Sequence, residues 1–579
     1  MFIYFLLILL FVINVAMLAN RVKEERVDLL CIMIAGISMI GVVELIAGVL
    51  NIFGCMINSG ICVAIYCIIA IGMFLTSKEK VKLEISISGY EVMFVSVITV
   101  VFTLVSIHMF GMYMRWTYYN SDPAVHFMNA MGIYREKKLN GMYFTSLLNS
   151  GIIDLFSYFL DEVRFYKAYI FGDICLNYFE SIFFFACMYK QIKDRNGKLF
   201  LPISYILFIL GYPMFSYVVG GYNYWGVGAV LCIYVIYWLN RYEKEKENRK
   251  WILFFISLGC FCVSICYMMF VPFVYITSFI VLLRTYIGGK NIFKIKEYVF
   301  LNLKVFLLPT ILTLYYCFIV FFKGNISTIL NVVNVDAGVI DLFDSFLFLI
   351  PLLAMYILNK MKTKNVDVYD VSAIVLLVNI VLFFVLGICD FISPYYFNKL
   401  NYPLWCLIWI MLCNLFRNLN KETMIYYIYL IIVSIGSICL LEEKTRNTEE
   451  GYIIKNEIEM YSTNMDYLVN KEWGENFLSK YKRELYSYVI DVIDESVVML
   501  ADMGQTYNVY FYEAITGEQS AQYCWYCEDD DESFQKIQED NISYIIVLKE
   551  SSFFEKNIDK LEKFDVVKEN EIGCIYYAK

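Results

Sequence analysis

The chain has 579 residues, of which 60% are apolar and 18% charged, and its mean hydropathy is +0.59. A soluble globular protein is about 45–50% apolar, so this composition excludes an ordinary cytosolic enzyme, a disordered chain and a nucleic-acid-binding protein. Residues 1–441 hold 33 basic and 26 acidic groups (net +7), whereas residues 442–579 hold 14 basic and 30 acidic groups (net −16). The charges therefore predict a transmembrane domain over 1–441 and a soluble acidic domain over 442–579.

Apolar runs long enough to form membrane-spanning helices recur along the first domain. A spanning helix needs about 20 apolar residues. Dividing the runs at their polar breaks predicts about 14 transmembrane helices, which begin near Phe2, Val27, Cys55, Glu91, Lys167, Phe200, Gly226, Trp251, Pro272, Tyr298, Leu342, Val371, Tyr402 and Met424. The first domain is therefore predicted to be a polytopic α-helical membrane protein.

Lysine and arginine residues concentrate in alternate loops. One set of loops contains 24 of them and the opposite set contains eight, six of which lie in the long loop 113–167. Cytoplasmic loops of membrane proteins are enriched in Lys and Arg. The chain is therefore predicted to be a multi-pass protein of the cell membrane, with both termini, loop 113–167 and domain 442–579 on the extracytoplasmic side.

The long outer loop carries the first candidate site residues. Asp122 precedes Pro123, which suits the first position of a helix, and His126 follows on the same face. Asp122 could cap that helix, since aspartate is a common N-cap residue. It could equally act as a general base that orients an acceptor at the membrane surface. We predict Asp122 as a catalytic residue and His126 as a substrate-binding residue, and keep the capping role as the alternative.

Aromatic outer segments and one isolated cation supply further candidates. Tyr222 and Trp225 lie in an uncharged aromatic loop whose rings suit stacking on a sugar, although Trp and Tyr also form the ordinary interfacial belt. Lys399 is nearly the only cation in the short outer loops, and a point positive charge suits an anionic phosphate. A structural lysine is the alternative for this position.

Ionisable residues inside spans are costly and often functional. Asp173, Glu180 and Lys304 fall into this group. Asp173 lies near the outer end of its span and is predicted to face the same cavity as Asp122. Lys304 lies near the cytoplasmic start of its span, where its long side chain can reach the surface.

The acidic tail shows the pattern of a mixed α/β domain. Short apolar runs predict strands at Ser496–Leu500, Tyr507–Tyr512, Ile542–Leu548 and Ile572–Tyr577. Longer patterns predict helices over Lys471–Ile490 and Phe553–Lys563. The motif Cys524-Trp-Tyr-Cys527 could form a disulfide outside the cell, and a zinc site lacks partner ligands.

These features together resemble the GT-C superfamily of integral-membrane glycosyltransferases. The resemblance rests on the acidic motif Ser121-Asp122-Pro-Ala-Val-His126, on the segment Ser393-Pro-Tyr395-Tyr396-Phe-Asn-Lys399 and on the position of the C-terminal domain. It implies that Asp122 serves the acceptor and that Tyr395, Tyr396 and Lys399 meet a lipid phosphate. The chain departs from the family pattern in having three spans before the one that leads into the Asp122 loop and in lacking a paired acidic dipeptide.

The sequence therefore predicts transfer of a sugar from a polyprenyl-phosphate donor to a cell-surface glycan, lipid or polymer. No cofactor is assigned, and a requirement for a divalent metal ion stays open. The predicted partners are the donor, the acceptor and membrane lipids, without nucleic acid. A lipid-linked polysaccharide polymerase or ligase is the main alternative, because such enzymes use outer arginines and the loop contains Arg115, Arg135 and Arg164. A transporter or flippase and a non-enzymatic sensor or scaffold are weaker alternatives.

Overall fold

The fold is described from a computed structural model of the chain. It describes residues 1–23, 26–76, 85–118, 122–139, 144–192, 200–210, 221, 223–245, 249–288, 294–318, 349–364, 366–389, 391–393, 395–415, 428–429, 478–501, 506–520 and 530–579. The predicted helix starts near Leu342 and Met424, the residue Tyr222 and the Cys524–Cys527 motif lie outside these residues.

The first part of the chain is a bundle of apolar helices. Local signals start several of them: the Asp28 carboxylate accepts a hydrogen bond from the backbone N–H of Cys31 (2.8 Å), and Ser88 and Glu91 form a capping box. The described helices are α1 (Phe2–Val22), α2 (Leu29–Ile52), α3 (Ser59–Leu75), α4 (Gly89–Phe110), α5 (Asp122–Glu136), α6 (Phe144–Phe156), α7 (Phe165–Gln191), α8 (Leu201–Leu210), α9 (Asn223–Lys244), α10 (Arg249–Cys266), α11 (Val271–Gly288), α12 (Ile295–Phe318), α13 (Ile350–Thr363), α14 (Val368–Ile388) and α15 (Tyr395–Leu415).

The predicted polytopic helical fold is confirmed. Eight of the described helices are long and apolar enough to cross a membrane, and α3 and α6 are shorter apolar helices. The predicted starts from Phe2 to Tyr298, and those near Val371 and Tyr402, fall close to or inside described helices. The total of 14 spans stays a prediction, since the count rests partly on segments that are not described.

Polar contacts join neighbouring loops at each end of the helix bundle. At one end, loops of the Lys- and Arg-rich set meet each other, as in the ion pair between Lys190 and Asp28 (2.6 Å). At the other end, the backbone N–H of Ile57 donates to the carbonyl of Lys137 in the long loop (2.8 Å). Which end of the bundle faces the cytoplasm stays a prediction from the loop charges.

The C-terminal part is a mixed α/β domain, as predicted. Its four-stranded sheet has the order β1-β2-β4-β3, in which β1 pairs parallel with β2 and the other pairs are antiparallel. Alternate side chains of β1 and β2 enter cores on opposite faces of the sheet, so both faces are covered. The elements are α16 (Lys480–Val492), β1 (Val497–Leu500), α17 (Thr506–Thr516), α18 (Asp530–Glu539), β2 (Tyr544–Leu548), α19 (Ser552–Leu561), β3 (Asp565–Glu569) and β4 (Gly573–Tyr577).

One predicted strand is wrong and another was missed. The segment Tyr507–Tyr512 belongs to helix α17. Its aromatic residues favour a strand, but the buried residues recur at Asn508, Phe511 and Ile515, which is helical spacing. The missed strand, β3, is an edge strand whose residues are mostly exposed, so it lacks the apolar alternation that marks a strand.

The C-terminal domain packs directly on the long outer loop. Helix α17 contacts α5, and the ring of Phe511 lies edge-on to Trp116 with centroids 4.7 Å apart. Arg135 at the end of α5 donates to the carbonyl oxygens of Ile515 (2.7 Å) and Glu513 (3.3 Å). The two regions share one hydrophobic core, so the domain covers the loop that contains Asp122.

We expect Arg135→Met to loosen this packing. The substitution keeps the aliphatic stem and leaves the two carbonyl groups without their charged donor, which costs about 1.5–3 kcal/mol for such hydrogen bonds. Limited proteolysis of the C-terminal domain should therefore accelerate. The control Lys138→Met removes an exposed charge two residues beyond α5 and should cleave like wild type. Equal cleavage of all three proteins would show that Arg135 does not hold the domain.

Candidate functional site

A buried lysine surrounded by aromatic rings marks the candidate site. Lys399, in the second turn of α15, is 4% exposed, and its Nζ donates to the hydroxyl of Tyr224 (3.1 Å). Nζ lies 5.3, 5.5 and 5.4 Å from the ring centroids of Tyr224, Trp225 and Tyr267. Rings at these distances attract a cation. They hold a positive charge where water is largely excluded.

The start of α5 approaches this lysine from the outer loop. The ring of His126 lies 4.5 Å from that of Tyr224, and the charges of Asp122 and Lys399 act on each other. Residues 277 positions apart in the chain therefore meet at one place. The candidate site is formed by three separate segments of the chain, which contain Asp122, Trp225 and Lys399.

Burial and the lysine charge set the protonation of the two α5 residues. Burial raises the pKa of Asp122, and the positive charge of Lys399 opposes that shift. Burial, together with the positive charge of Lys399, lowers the pKa of His126 to about 4. His126 is therefore neutral at physiological pH. Asp122 is a stronger base than an exposed aspartate.

The C-terminal domain also reaches the site. Burial raises the pKa of Tyr510 in α17, and the negative charge of Asp122 raises it further. The tyrosine therefore stays protonated and lies within the field of the carboxylate. The C-terminal α/β domain thus contributes a residue to the surroundings of Asp122.

Asp173 lies beside this site but is enclosed. It is 1% exposed, and its carboxylate accepts hydrogen bonds from the Tyr118 hydroxyl (2.8 Å) and the Asn149 amide (3.1 Å). Asn177 donates to the Asp173 carbonyl (2.9 Å) and to the Asn223 side chain (2.8 Å), next to Tyr224. The network connects α7 to the start of α9, the helix that carries Tyr224.

Four further residues were predicted to bind substrate, namely Trp225, Tyr396, Tyr395 and Tyr222. Trp225 is 2% exposed, and its indole N–H donates to the Lys399 carbonyl (3.0 Å), which fixes α9 to α15. Tyr396 is buried one turn before Lys399. Tyr395 begins α15, but its side chain lies outside the described residues, as does all of Tyr222.

Three contributors were missed by the sequence prediction of the site. Tyr224 lies in the aromatic loop that was singled out, between the two residues that were chosen. Tyr267 follows α10, and its only signal was an aromatic residue at a break between two apolar runs. Asn149 had no local signal, because its role depends on the packing of α6 against α7.

A glycine permits the close approach of the outer segments. Gly221 has φ +71°, and a Cβ atom there would lie 2.3 Å from Cγ of Pro123. Any side chain would therefore displace the first turn of α5, where Asp122 lies. The chain before α9 and the start of α5 are in this way fitted to each other.

The described residues do not provide a cluster of three or more His, Cys, Asp or Glu side chains that could hold a metal ion. They do place a carboxylate of raised basicity, a neutral imidazole and a buried ammonium close together where α5 begins beside α9 and α15. This set can accept a proton from a hydroxyl, orient a polar substrate and hold an anionic group.

Comparison with solved structures identifies the architecture. The chain is similar to ArnT from Cupriavidus metallidurans bound to undecaprenyl phosphate, with a TM-score of 0.52, 10% sequence identity and coverage of 85% of this chain and 98% of that chain. It is also similar to ArnT from the same organism in the apo state, with a TM-score of 0.50, 10% identity and coverage of 84% and 98%.

Comparisons of sequence give no further relative. No model of a known protein family matches the chain, and no curated protein matches it. An identity of 10% carries a conclusion about the fold alone. At that level the fold that the sequence resemblance implied is confirmed: the chain shares the fold of the two ArnT structures.

Proposed function

We propose that the protein transfers a sugar from a polyprenyl-phosphate donor to a hydroxyl of a glycan, lipid or polymer at the extracytoplasmic surface. The observation that carries this proposal is the convergence of Asp122, His126 and Lys399 within the GT-C fold. The likeness to a protein solved with undecaprenyl phosphate supports a donor of that class. The sugar and the acceptor are not specified by these residues.

In the proposed reaction the acceptor oxygen attacks the anomeric carbon of the donor sugar. A new glycosidic C–O bond forms, and the C–O bond to the phosphate breaks. The phosphate leaves with the bonding electron pair as polyprenyl phosphate, and the proton of the acceptor hydroxyl passes to Asp122. The proposed reaction therefore needs one protein group near the attacking oxygen and another near the leaving phosphate.

Asp122 is the proposed general base. Because burial raises its pKa, the carboxylate accepts a proton more readily than an exposed aspartate would. Neutral His126, whose ring is held against Tyr224, is proposed to orient the acceptor or the sugar by a hydrogen bond. We assign Asp173 a positioning role, because its carboxylate is already occupied by Tyr118 and Asn149.

Lys399 is the proposed partner of the phosphate. The leaving phosphate gains negative charge as the bond breaks, and a positive charge fixed in a site of low dielectric stabilises that change. The rings around Lys399 restrict its ammonium group in advance of binding. Tyr396 lies one turn away. Tyr395 and Tyr222 stay predictions as further substrate-binding residues.

The polymerase or ligase alternative receives less support. Two of the three outer arginines on which it depends already have protein partners. Arg135 is bound to Glu162 (3.0 Å) and to carbonyl groups of α17, and Arg164 pairs with Asp161 (3.5 Å). Arg115 is exposed, and in the described part of the chain its guanidinium has no carboxylate within salt-bridge distance.

Reconstitution tests the proposed reaction directly. The purified full-length protein would be incorporated into liposomes with a synthetic polyprenyl-phosphate sugar and an extract of surface glycans. We expect release of polyprenyl phosphate that depends on the acceptor, with a water-soluble nucleotide sugar inactive as donor. Release from the nucleotide sugar, or none from a panel of lipid-linked sugars, would contradict the proposal.

Topology provides a separate prediction. Because Lys and Arg number 24 in one set of loops and eight in the other, a reporter fused after Lys579 should report the extracytoplasmic side. A reporter inserted at 244–250 should report the cytoplasm. The opposite result at either position would remove the extracytoplasmic placement of Asp122 and of domain 442–579.

A further inference from the structure

A cavity along helix α10 is lined by none of the residues of the candidate site. It has a volume of about 360 Å³ and is bounded by α2, α10 and α12. Tyr267 follows α10 beside Lys399, whereas Lys250 lies in the first turn of α10. At 1.5 Å per helical residue, Lys250 lies about 25 Å from Tyr267, whereas Phe261 at the other end of the cavity lies about 9 Å from it. The two lysines of the cavity are therefore remote from Lys399, and none of the lining residues is among those described around Asp122.

The walls of the cavity are apolar and continuous with the lipid-facing surface. Leu45, Phe261 and Leu308 line it, and the adjoining α12 residues Leu307 and Ile311 are exposed on the side of the helix that faces away from the bundle. A cavity that opens laterally in this way can admit a hydrocarbon chain from the bilayer. Its contents would be in contact with lipid and not with bulk water.

Two lysine side chains line this cavity. Lys250 and Lys304 both line it, and in the described part of the chain no carboxylate lies within salt-bridge distance of either ammonium. Nζ of Lys304 lies 4.6 Å from the ring centroid of Phe300, one turn nearer the start of α12. The side chain thus points back toward the end of the bundle where Lys250 lies.

We propose that this cavity, bounded by Lys250, Lys304 and the apolar residues of α2, α10 and α12, binds an anionic phospholipid of the cytoplasmic leaflet. The two ammonium groups bind the phosphate-containing headgroup, and an acyl chain occupies the apolar wall. Charge complementarity selects the occupant, because a zwitterionic lipid would bring its own cation to the lysines.

Native mass spectrometry of the delipidated full-length protein tests the site. The probes are phosphatidylglycerol and phosphatidylcholine with identical acyl chains, supplied in equal amounts. Each lysine near a membrane surface favours an anionic lipid by about fivefold, so the first lipid bound should show a preference of about 25-fold. Lys250→Gln with Lys304→Gln should reduce that preference to about one.

Two controls make the result specific. Lys362→Gln with Lys364→Gln removes the same charge from exposed lysines at the end of α13 and should keep the preference. Leu308→Trp keeps both lysines, fills the cavity and should weaken binding of the first lipid. An unchanged preference in the Lys250/Lys304 variant, or an equal loss in the Lys362/Lys364 variant, would overturn the proposal.

Glycerol phosphate distinguishes a lipid site from a site for any phosphate. It carries the headgroup charge without acyl chains and should not displace bound phosphatidylglycerol at equal concentration. Displacement by glycerol phosphate, or undiminished lipid binding by the Leu308→Trp variant, would show that the apolar wall is not used. Because no sugar donor enters these measurements, their outcome is independent of the proposed transferase activity.

Discussion

The Asp122→Asn variant should lose sugar transfer by at least about a hundredfold while folding normally. General-base catalysis contributes typically 10²–10⁴-fold, and asparagine has nearly the same size but cannot take the proton. Asparagine caps a helix about as well as aspartate, so the first turn of α5 should be retained. Transfer rate and the thermal unfolding midpoint would be measured on the same membrane preparation.

A matched control separates catalysis from general effects of charge in the loop. Asp161 is a carboxylate of the same outer loop, with a side chain that is 57% exposed and paired with Arg164. Asp161→Asn should transfer sugar like wild type. If Asp122→Asn also turned over like wild type, Asp122 would be only a helix cap, and the proposed reaction would lose its base.

Lys399→Met should weaken use of the lipid-phosphate donor by at least about 30-fold. Removing one partner of a buried charge pair typically costs about 2–5 kcal/mol, and methionine keeps the length and apolar character of the stem. The fall should appear in kcat/KM measured with the polyprenyl-phosphate sugar. Lys399→Arg retains a positive charge and should lose less.

The same variant should change the pH dependence in a defined direction. Activity falls with decreasing pH when Asp122 is protonated, and the positive charge of Lys399 lowers the pKa of Asp122 against the effect of burial. Without that charge the pKa rises, so the acidic limb of the kcat/KM profile should move to higher pH. A limb that stayed in place in Lys399→Met, or moved to lower pH, would contradict the assignment of Asp122 as the base that Lys399 influences.

The helical fold and three of the residues that lie close together at the candidate site could be predicted from the sequence where the signal is local. Asp122, His126 and Lys399 stood out because polar residues are rare at the ends of apolar runs and because the loop charges assigned those ends to one side. Their convergence required the tertiary fold. Tyr267 lies at the end of a helix distant in the chain, and nothing near it indicates that its ring faces Lys399.

The hydrogen-bond network around Asp173 also depends on tertiary contacts that the sequence does not indicate. An acidic residue in a span was a sound reason to select Asp173, but the sequence could not show whether substrate or protein occupies its carboxylate. The answer depends on Tyr118 and Asn149, which come from two other segments. In the C-terminal domain, the aromatic residues of 507–512 favour a strand, but the segment is helical. There Phe511 packs against Trp116 of the long outer loop, a contact that the local sequence does not indicate.

The location of the donor phosphate tests the central claim most directly. A cryo-electron microscopy structure of the full-length protein with undecaprenyl phosphate should place the phosphate within hydrogen-bond distance of Lys399 Nζ, on the same side as Asp122. The isoprenoid chain should leave the site toward the bilayer. A phosphate bound instead at the cavity of Lys250 and Lys304, or at any position remote from Lys399 while the lipid is fully occupied, would contradict the account.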